Sequence, residues 1–199
     1  MRAFLAITPD RETRDAIGEI QRRCREAVAR AAPHARMSWM HADAVHLTLR
    51  FFAHIDESTA SALHEHVAGA IATSRAVTIP LARIAGFPRL AAPRVIWMGP
   101  PDEWVQSPEG ERLADIAEAI DQACDEAGLP REERRWRPHL TLARVKDGER
   151  RVGHGLRAMD GPAGPLSPPL RADHITLYRS DLTPSGAVHT PLWTVLLPQ

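Results

Sequence analysis

Residues 45–51 read Val-His-Leu-Thr-Leu-Arg-Phe and residues 137–146 read Arg-Pro-His-Leu-Thr-Leu-Ala-Arg-Val-Lys, so His-Leu-Thr-Leu occurs at 46–49 and again at 139–142. With 10 His, 11 Thr and 18 Leu in 199 residues, chance yields about 0.005 copies of that tetrapeptide, so the pair behaves as an internal repeat. In an extended strand alternate side chains share a face. Leu47 and Leu49 then point into a core while His46 and Thr48 point away from it together, and His139 and Thr141 do the same. Two such strands related by approximate two-fold symmetry can set two imidazoles on opposite sides of one small ligand.

The segments around the repeat support that symmetry. A short apolar strand, residues 2–7, leads to Thr8-Pro9-Asp10, where a threonine cap and a proline at the first helical position predict a helix. Ile17, Ile20, Cys24 and Val28 recur at steps of three, four and four, until Pro33 ends the helix. Ser107-Pro108 repeats the cap and proline, and Leu113, Ile116, Ile120 and Cys124 repeat the spacing, with Gly128 and Pro130 as the stop. A further helix is expected after Asp56 and Ser58 from Leu63, Val67 and Ile71. Strands are expected at 45–52, 77–84, 95–98, 139–145, 174–179 and 188–196, with 150–159 only weakly patterned. Residues 161–169 read as a loop and 183–186 as a turn. The order suits an α+β fold in one bilobal unit spanning residues 1–199, in which two pseudo-symmetric lobes of small antiparallel sheets are backed by helices around a central groove.

Two histidines titrating near pH 6.5 can serve as one general base and one general acid. Two threonine hydroxyls can donate to the oxygens of an anion between them. The set suits a phosphodiester, with one imidazole taking a proton from water and the other protonating the departing alkoxide; no metal is required. A third copy of the pattern, His174-Ile175-Thr176-Leu177, exists, and periodicity alone does not choose two of the three.

The two motif stretches, with Leu177-Tyr178-Arg179-Ser180 near the end, resemble the 2H phosphoesterases, and most closely the bacterial and archaeal RNA 2′,3′-cyclic phosphodiesterases, also called 2′-5′ RNA ligases. The resemblance covers nearly the whole chain. It implies a groove that hydrolyses an RNA 2′,3′-cyclic phosphate to a 2′-phosphomonoester without metal or nucleotide cofactor, with reversible 2′-5′ ligation as a companion reaction. His46 would be the proton donor to the leaving 3′ oxygen, His139 the proton acceptor from water, and Arg144 a contact to the nucleotide or its phosphate. Simple strand parity turns Arg144 away from His139, so a bulge or strand end is needed to bring it into the groove. Family members commonly lack histidine at the position of His174, and often carry an aromatic where this chain has His189. Two competing readings are a non-catalytic binder of nucleotides or RNA ends, and an enzyme for another small cyclic phosphate.

Trp39 and Phe51 are candidates to stack on a base, with core packing the ordinary alternative for each. Tyr178 shares the His174 face and is a candidate groove residue. Residues 131–151 hold eight basic side chains (Arg131, Arg134, Arg135, Arg137, Arg144, Lys146, Arg150, Arg151) against four acidic ones, a local positive patch that suits RNA ends. Over the whole chain 25 basic residues balance 25 acidic ones, which excludes a global field for long nucleic acid. His64-Glu65-His66 lacks the spacing of a helical zinc site, and no glycine-rich phosphate loop occurs. Two cysteines are too few for a disulfide scaffold, and no apolar run approaches a membrane span. A monomer in a reducing cytoplasm, with no membrane partner, is the expectation.

Overall fold

Alternating burial along β1 (Ala3–Ile7) is absent because every one of its residues is buried, as befits a strand with neighbours on both edges and the His46, Tyr178 and His189 rings over Phe4. The computed structural model describes residues 1–132, 135–159, 166–183 and 186–198. After β1 come α1 (Arg11–Ala31), β2 (Met37–Trp39), β3 (Leu47–Phe52), α2 (Glu57–Ala70), β4 (Val77–Ile79), β5 (Arg83–Phe87), β6 (Val95–Gly99) and α3 (Asp102–Val105). They are followed by α4 (Pro108–Glu126), β7 (Leu140–Val145), α5 (Glu149–Arg157), β8 (Leu170–Ala172), β9 (His174–Thr183) and β10 (Gly186–Leu196).

The strands run in the order β10-β9-β1-β3-β7-β6-β5, with β2 added beside β7, and β4 and β8 form a separate ribbon. Among the described residues all strand pairings are antiparallel, and β3 meets β7 at the pair Leu47↔Leu140. The expected two lobes are therefore two half-sheets joined at one point. Beyond it β3 and β7 splay apart, and that divergence opens the groove.

The helices cross over between the halves. α1 follows β1 in sequence, yet Gln21 of α1 donates to the carbonyls of Met40 (2.9 Å) and Leu142 on β7 (3.1 Å), and α1 packs on α5. α4 follows β6 but packs on β3 and α2. The apolar stripes at Ile17, Ile20, Cys24 and Val28 and at Leu113, Ile116, Ile120 and Cys124 are buried. Burial pushes both thiols up to about 12, so they remain protonated at neutral pH.

Several expectations are corrected. The cap of α1 is Asp10, whose carboxylate accepts from Thr13 N at 2.8 Å, so the helix begins three residues after Thr8; a carboxylate at a helix start also gains from the dipole. Residues 77–84 divide into β4 and β5, in different sheets, because Pro80 lies between them and cannot donate to a ladder. Residues 150–159 mostly form α5, whose buried side is supplied by Val152, Gly153, Gly155 and Leu156; small residues carry that face, so the apolar signal is faint. Ser107 caps α4 with Pro108 next, as expected, and Gly128 follows with φ +81°, a conformation that favours glycine. Of the expected loop 161–169 only 166–169 fall within the described residues, and Pro184 and Ser185 of the expected turn lie outside them.

Candidate active site

β3 and β7 carry the repeat, and their burial runs in parallel, residue for residue: buried, half-buried, buried, buried, exposed, buried. Two consecutive buried residues break the alternation, and the pairing registers show why. On β3, Leu5 faces Arg50 while Ala6 faces Thr48, leaving Leu49 as an extra residue. On β7, Ile96 faces Ala143 while Trp97 faces Thr141, leaving Leu142 extra. Each motif thus holds a β-bulge at the same place, and a bulge shifts strand parity by one. Phe51 and Arg144, which simple alternation would turn to the leucine face, come instead to the side of Thr48 and Thr141. Arg144 lines the groove with His139 and Thr141.

Each histidine stands one residue before its strand and is held alike. His46 donates Nδ1–H to the Ala44 carbonyl at 2.8 Å, and His139 donates Nδ1–H to the Arg137 carbonyl at 2.8 Å. A carbonyl only accepts, so in the neutral ring this fixes the tautomer and leaves an Nε2 lone pair on both. Aromatic neighbours flank both rings. His46 stacks on Phe4 with centroids 4.3 Å apart, and His139 meets Phe87 edge-on at 5.1 Å. Burial pushes His46 down to about 4, partly offset by the Ala44 bond, and a charge on His189 or His139 lowers it further. Burial likewise lowers His139, with the Arg144 guanidinium adding to the effect. Both rings are neutral at pH 7 in the unliganded protein.

A groove of about 1120 Å³ runs from His139, Thr141 and Arg144 past Thr48 and Phe51 to α4, where Ala114 and Ala117 form part of its floor. Trp136 crosses the splay and donates Nε1–H to the Thr48 carbonyl at 2.9 Å, an acceptor that β7 has diverged too far to satisfy. Arg50, only 5% exposed, anchors the same wall. It donates to the Pro130 carbonyl, and its Nη1 lies 2.7 Å from Asp121 Oδ1, a charge contact off the hydrogen-bond axis. Arg131 in turn pairs with Asp121 and Glu118.

The sequence-predicted residues are distributed unevenly around this groove. Thr48, Phe51, His139, Thr141 and Arg144 line it. His46 does not reach its wall and lies tucked against Phe4 and His189, within range of the His139 charge. Tyr178 stacks on Phe4 at 5.3 Å, on the His46 side. Trp39 is not brought to the groove: it sits in β2 opposite Ala143, with the Arg25 guanidinium 4.8 Å over its ring. The basic patch divides as well. Arg131, Arg135, Arg137 and Arg144 line the groove, Arg131 while paired with carboxylates, and Arg150 and Arg151 border a separate surface depression beside His34. Arg134 lies outside the described residues.

The third copy is consumed internally. His174 donates Nδ1–H to Asp173 at 2.8 Å and its Nε2 lies 2.9 Å from the Thr8 hydroxyl, while buried Thr176 shares a 2.7 Å hydrogen bond with Thr194. The residues that sequence reasoning missed are Phe4, Arg50, Trp136 and the approach of His189 to His46. Arg50 follows the first motif directly, but the bulge that buries it leaves no sequence signal. Among the described residues no three His, Cys, Asp or Glu side chains gather as metal ligands, and no helix is long and apolar enough to cross a membrane.

Known proteins resemble this chain over most of its length. An RNA 2′,3′-cyclic phosphodiesterase of Methanothermobacter thermautotrophicus is 28% identical over 198 residues, covering 96% of each chain. One from Aeropyrum pernix is 30% identical over 150 residues, 75% of this chain and 80% of its own. E. coli LigT complexed with 3′-AMP shares the fold at 23% identity and a TM-score of 0.71, over 100% of this chain and 98% of that one. The family model of the 2′-5′ RNA ligase superfamily matches residues 8–184. With paired, bulged His-x-Thr strands facing one groove, and a family match over most of its length, the chain belongs to the 2′-5′ RNA ligase superfamily.

Proposed function

We propose that this protein hydrolyses RNA 2′,3′-cyclic phosphate ends to 2′-phosphomonoesters, as a metal-independent phosphoric diester hydrolase. The observation that carries the reading is the matched pair of imidazoles, each with Nδ1–H tied to a carbonyl two residues upstream and a lone pair on Nε2. His139 accepts a proton at Nε2 from a water whose oxygen attacks phosphorus. His46, protonated at Nε2 in the complex, donates to the 3′ oxygen as the P–O3′ bond breaks, which leaves the phosphate on O2′. The anionic diester raises the affinity of both rings for protons, so His46 acquires its acidic proton with the substrate. Arg144 disfavours charge on His139, which keeps the base neutral. Thr48 and Thr141 steady the phosphoryl oxygens, and Phe51, 40% exposed beneath the Arg2 guanidinium, offers a face on which a base can stack. Tyr178 extends that aromatic side.

The relatives' names support this substrate class. Nucleoside and oligonucleotide 2′,3′-cyclic phosphates, with 2′ and 3′ products resolved, provide the test, and ligation is read by the reverse incubation of 2′,3′-cyclic and 5′-hydroxyl ends. Activity is expected to survive excess chelator; loss with EDTA and rescue by zinc or manganese would contradict the mechanism.

A further inference from the structure

His189 lies on β10 opposite Ser180 of β9. Its ring meets Phe4 edge-on at 4.8 Å and 83°, and His46 at 5.5 Å and 89°. Its Nδ1 is buried with no hydrogen-bond partner among the described residues. A buried N–H without an acceptor, and still more the second proton of an imidazolium, is poorly tolerated there. The ring therefore keeps Nδ1 as a lone pair and carries its proton on Nε2. His46 is the opposite tautomer, with Nδ1–H bound to Ala44 and a lone pair on Nε2. The two adjacent imidazoles are complementary: one offers a donor and the other an acceptor.

We propose that His189 is a third functional imidazole of the site, a neutral Nε2–H donor that contacts a ribose or phosphoryl oxygen of the nucleotide and positions the His46 ring through edge-on packing. The inference rests on the phosphodiesterase reading above. The rings facing His189 are His46, from the turn before β3, and Phe4 of β1, and Tyr178 of β9 stacks on the same Phe4 ring. His139 acts on His46 from the other half-sheet, and Arg2, before β1, is engaged over Phe51. A proton on His189 disfavours one on His46, and burial lowers His189 itself. A ring that merely filled space would act on His46 through burial alone, which an aromatic replacement at 189 would preserve.

Nitrogen-15 imidazole NMR of the intact protein near pH 7 reads the tautomers without a mutation: Nε2–H is expected for His189, and Nδ1–H for His46 and His139. His189→Phe keeps an aromatic ring but removes the donor, and is expected to raise KM for a nucleoside 2′,3′-cyclic phosphate about tenfold, the size of one lost hydrogen bond, and to move the His46 titration upward. His189→Gln, which retains an N–H, is expected to recover KM. Inorganic phosphate as a competing probe distinguishes the acceptor: weakened phosphate binding in His189→Phe identifies a phosphoryl oxygen, and unchanged phosphate binding with weakened nucleotide binding identifies a ribose oxygen. An Nδ1–H tautomer at His189, or His189→Phe with unchanged KM and an unchanged His46 titration, overturns the inference. If His46→Ala and His139→Ala are inactive in that case, the phosphodiesterase reading stands alone; if both remain active, that reading has failed independently.

Discussion

His46 and His139 each commit Nδ1–H to a backbone carbonyl, so any proton they move must pass through Nε2. His46→Ala and His139→Ala are each expected to lower kcat at least about 10²-fold, as is typical for loss of a general acid or base. His174→Ala is expected to stay near wild type, because that ring is held by Asp173 and Thr8; a His174 variant as impaired as the other two would reassign the site. The pH profile follows from burial. In the free enzyme both rings are pushed below their usual range, so the acidic form of His46 is lost at low pH. Binding an anionic diester raises that limit. The alkaline limb of kcat is therefore expected at higher pH than that of kcat/KM, and coincident limbs would show that substrate charge does not load the acid.

At the scale of elements, the paired bulges at Leu49 and Leu142 bring Phe51 and Arg144 to the side of the threonines. Arg144→Ala is expected to reduce kcat/KM by about 10²-fold, and Arg144→Lys to recover little, since an ammonium lacks the planar fork. Steady-state kinetics on a cyclic nucleotide checks both, and an unimpaired Arg144→Ala would place the side chain outside the reaction. A second element-level test lies at the end of β6. A Cβ on Gly99 would stand 2.9 Å from the Pro138 carbonyl and 3.2 Å from the Trp97 ring, so Gly99→Val is expected to shift the Pro138-His139 turn and to cut activity more than it cuts thermal stability. Such bulges are where legibility in the sequence ended. The His-x-Thr alternation, the caps at Asp56 and Ser107 and the three-four-four stripes are local patterns, and they predict both motif strands and all three long helices. The parity of Arg144, the burial of Arg50 and the meeting of His46 with His189 depend on register between strands distant in sequence. β2 and β8, three residues each, are too short to carry a period, and α5 buries small residues. The third His-x-Thr copy matched by pattern alone, and its hydrogen bonds to Asp173, Thr8 and Thr194 distinguish it.

For the whole molecule, two half-sheets joined at Leu47↔Leu140, with helices exchanged between them, link folding to the ionisation of the site. His46 and His139 bind protons more weakly when folded than when unfolded. Between about pH 6.5 and the folded values the unfolded chain carries the extra protons, so stability is full above pH 6.5 and falls as pH drops toward about 4. For His46 alone the loss is on the order of 3 kcal/mol at the acid limit. Urea midpoints are expected to decline across that window, and less steeply in His46→Phe; equal slopes would show that the ring is not buried as described. Whether the paired imidazoles are catalytic is decided by incubating a 2′,3′-cyclic-phosphate-ended oligonucleotide with the wild type, His46→Ala and His139→Ala in the presence of chelator and resolving the products. The expected result is a 2′-phosphomonoester from the wild type and at least about 10²-fold less from each variant; a 3′-phosphate product, no turnover by the wild type, or full turnover by either variant would contradict it.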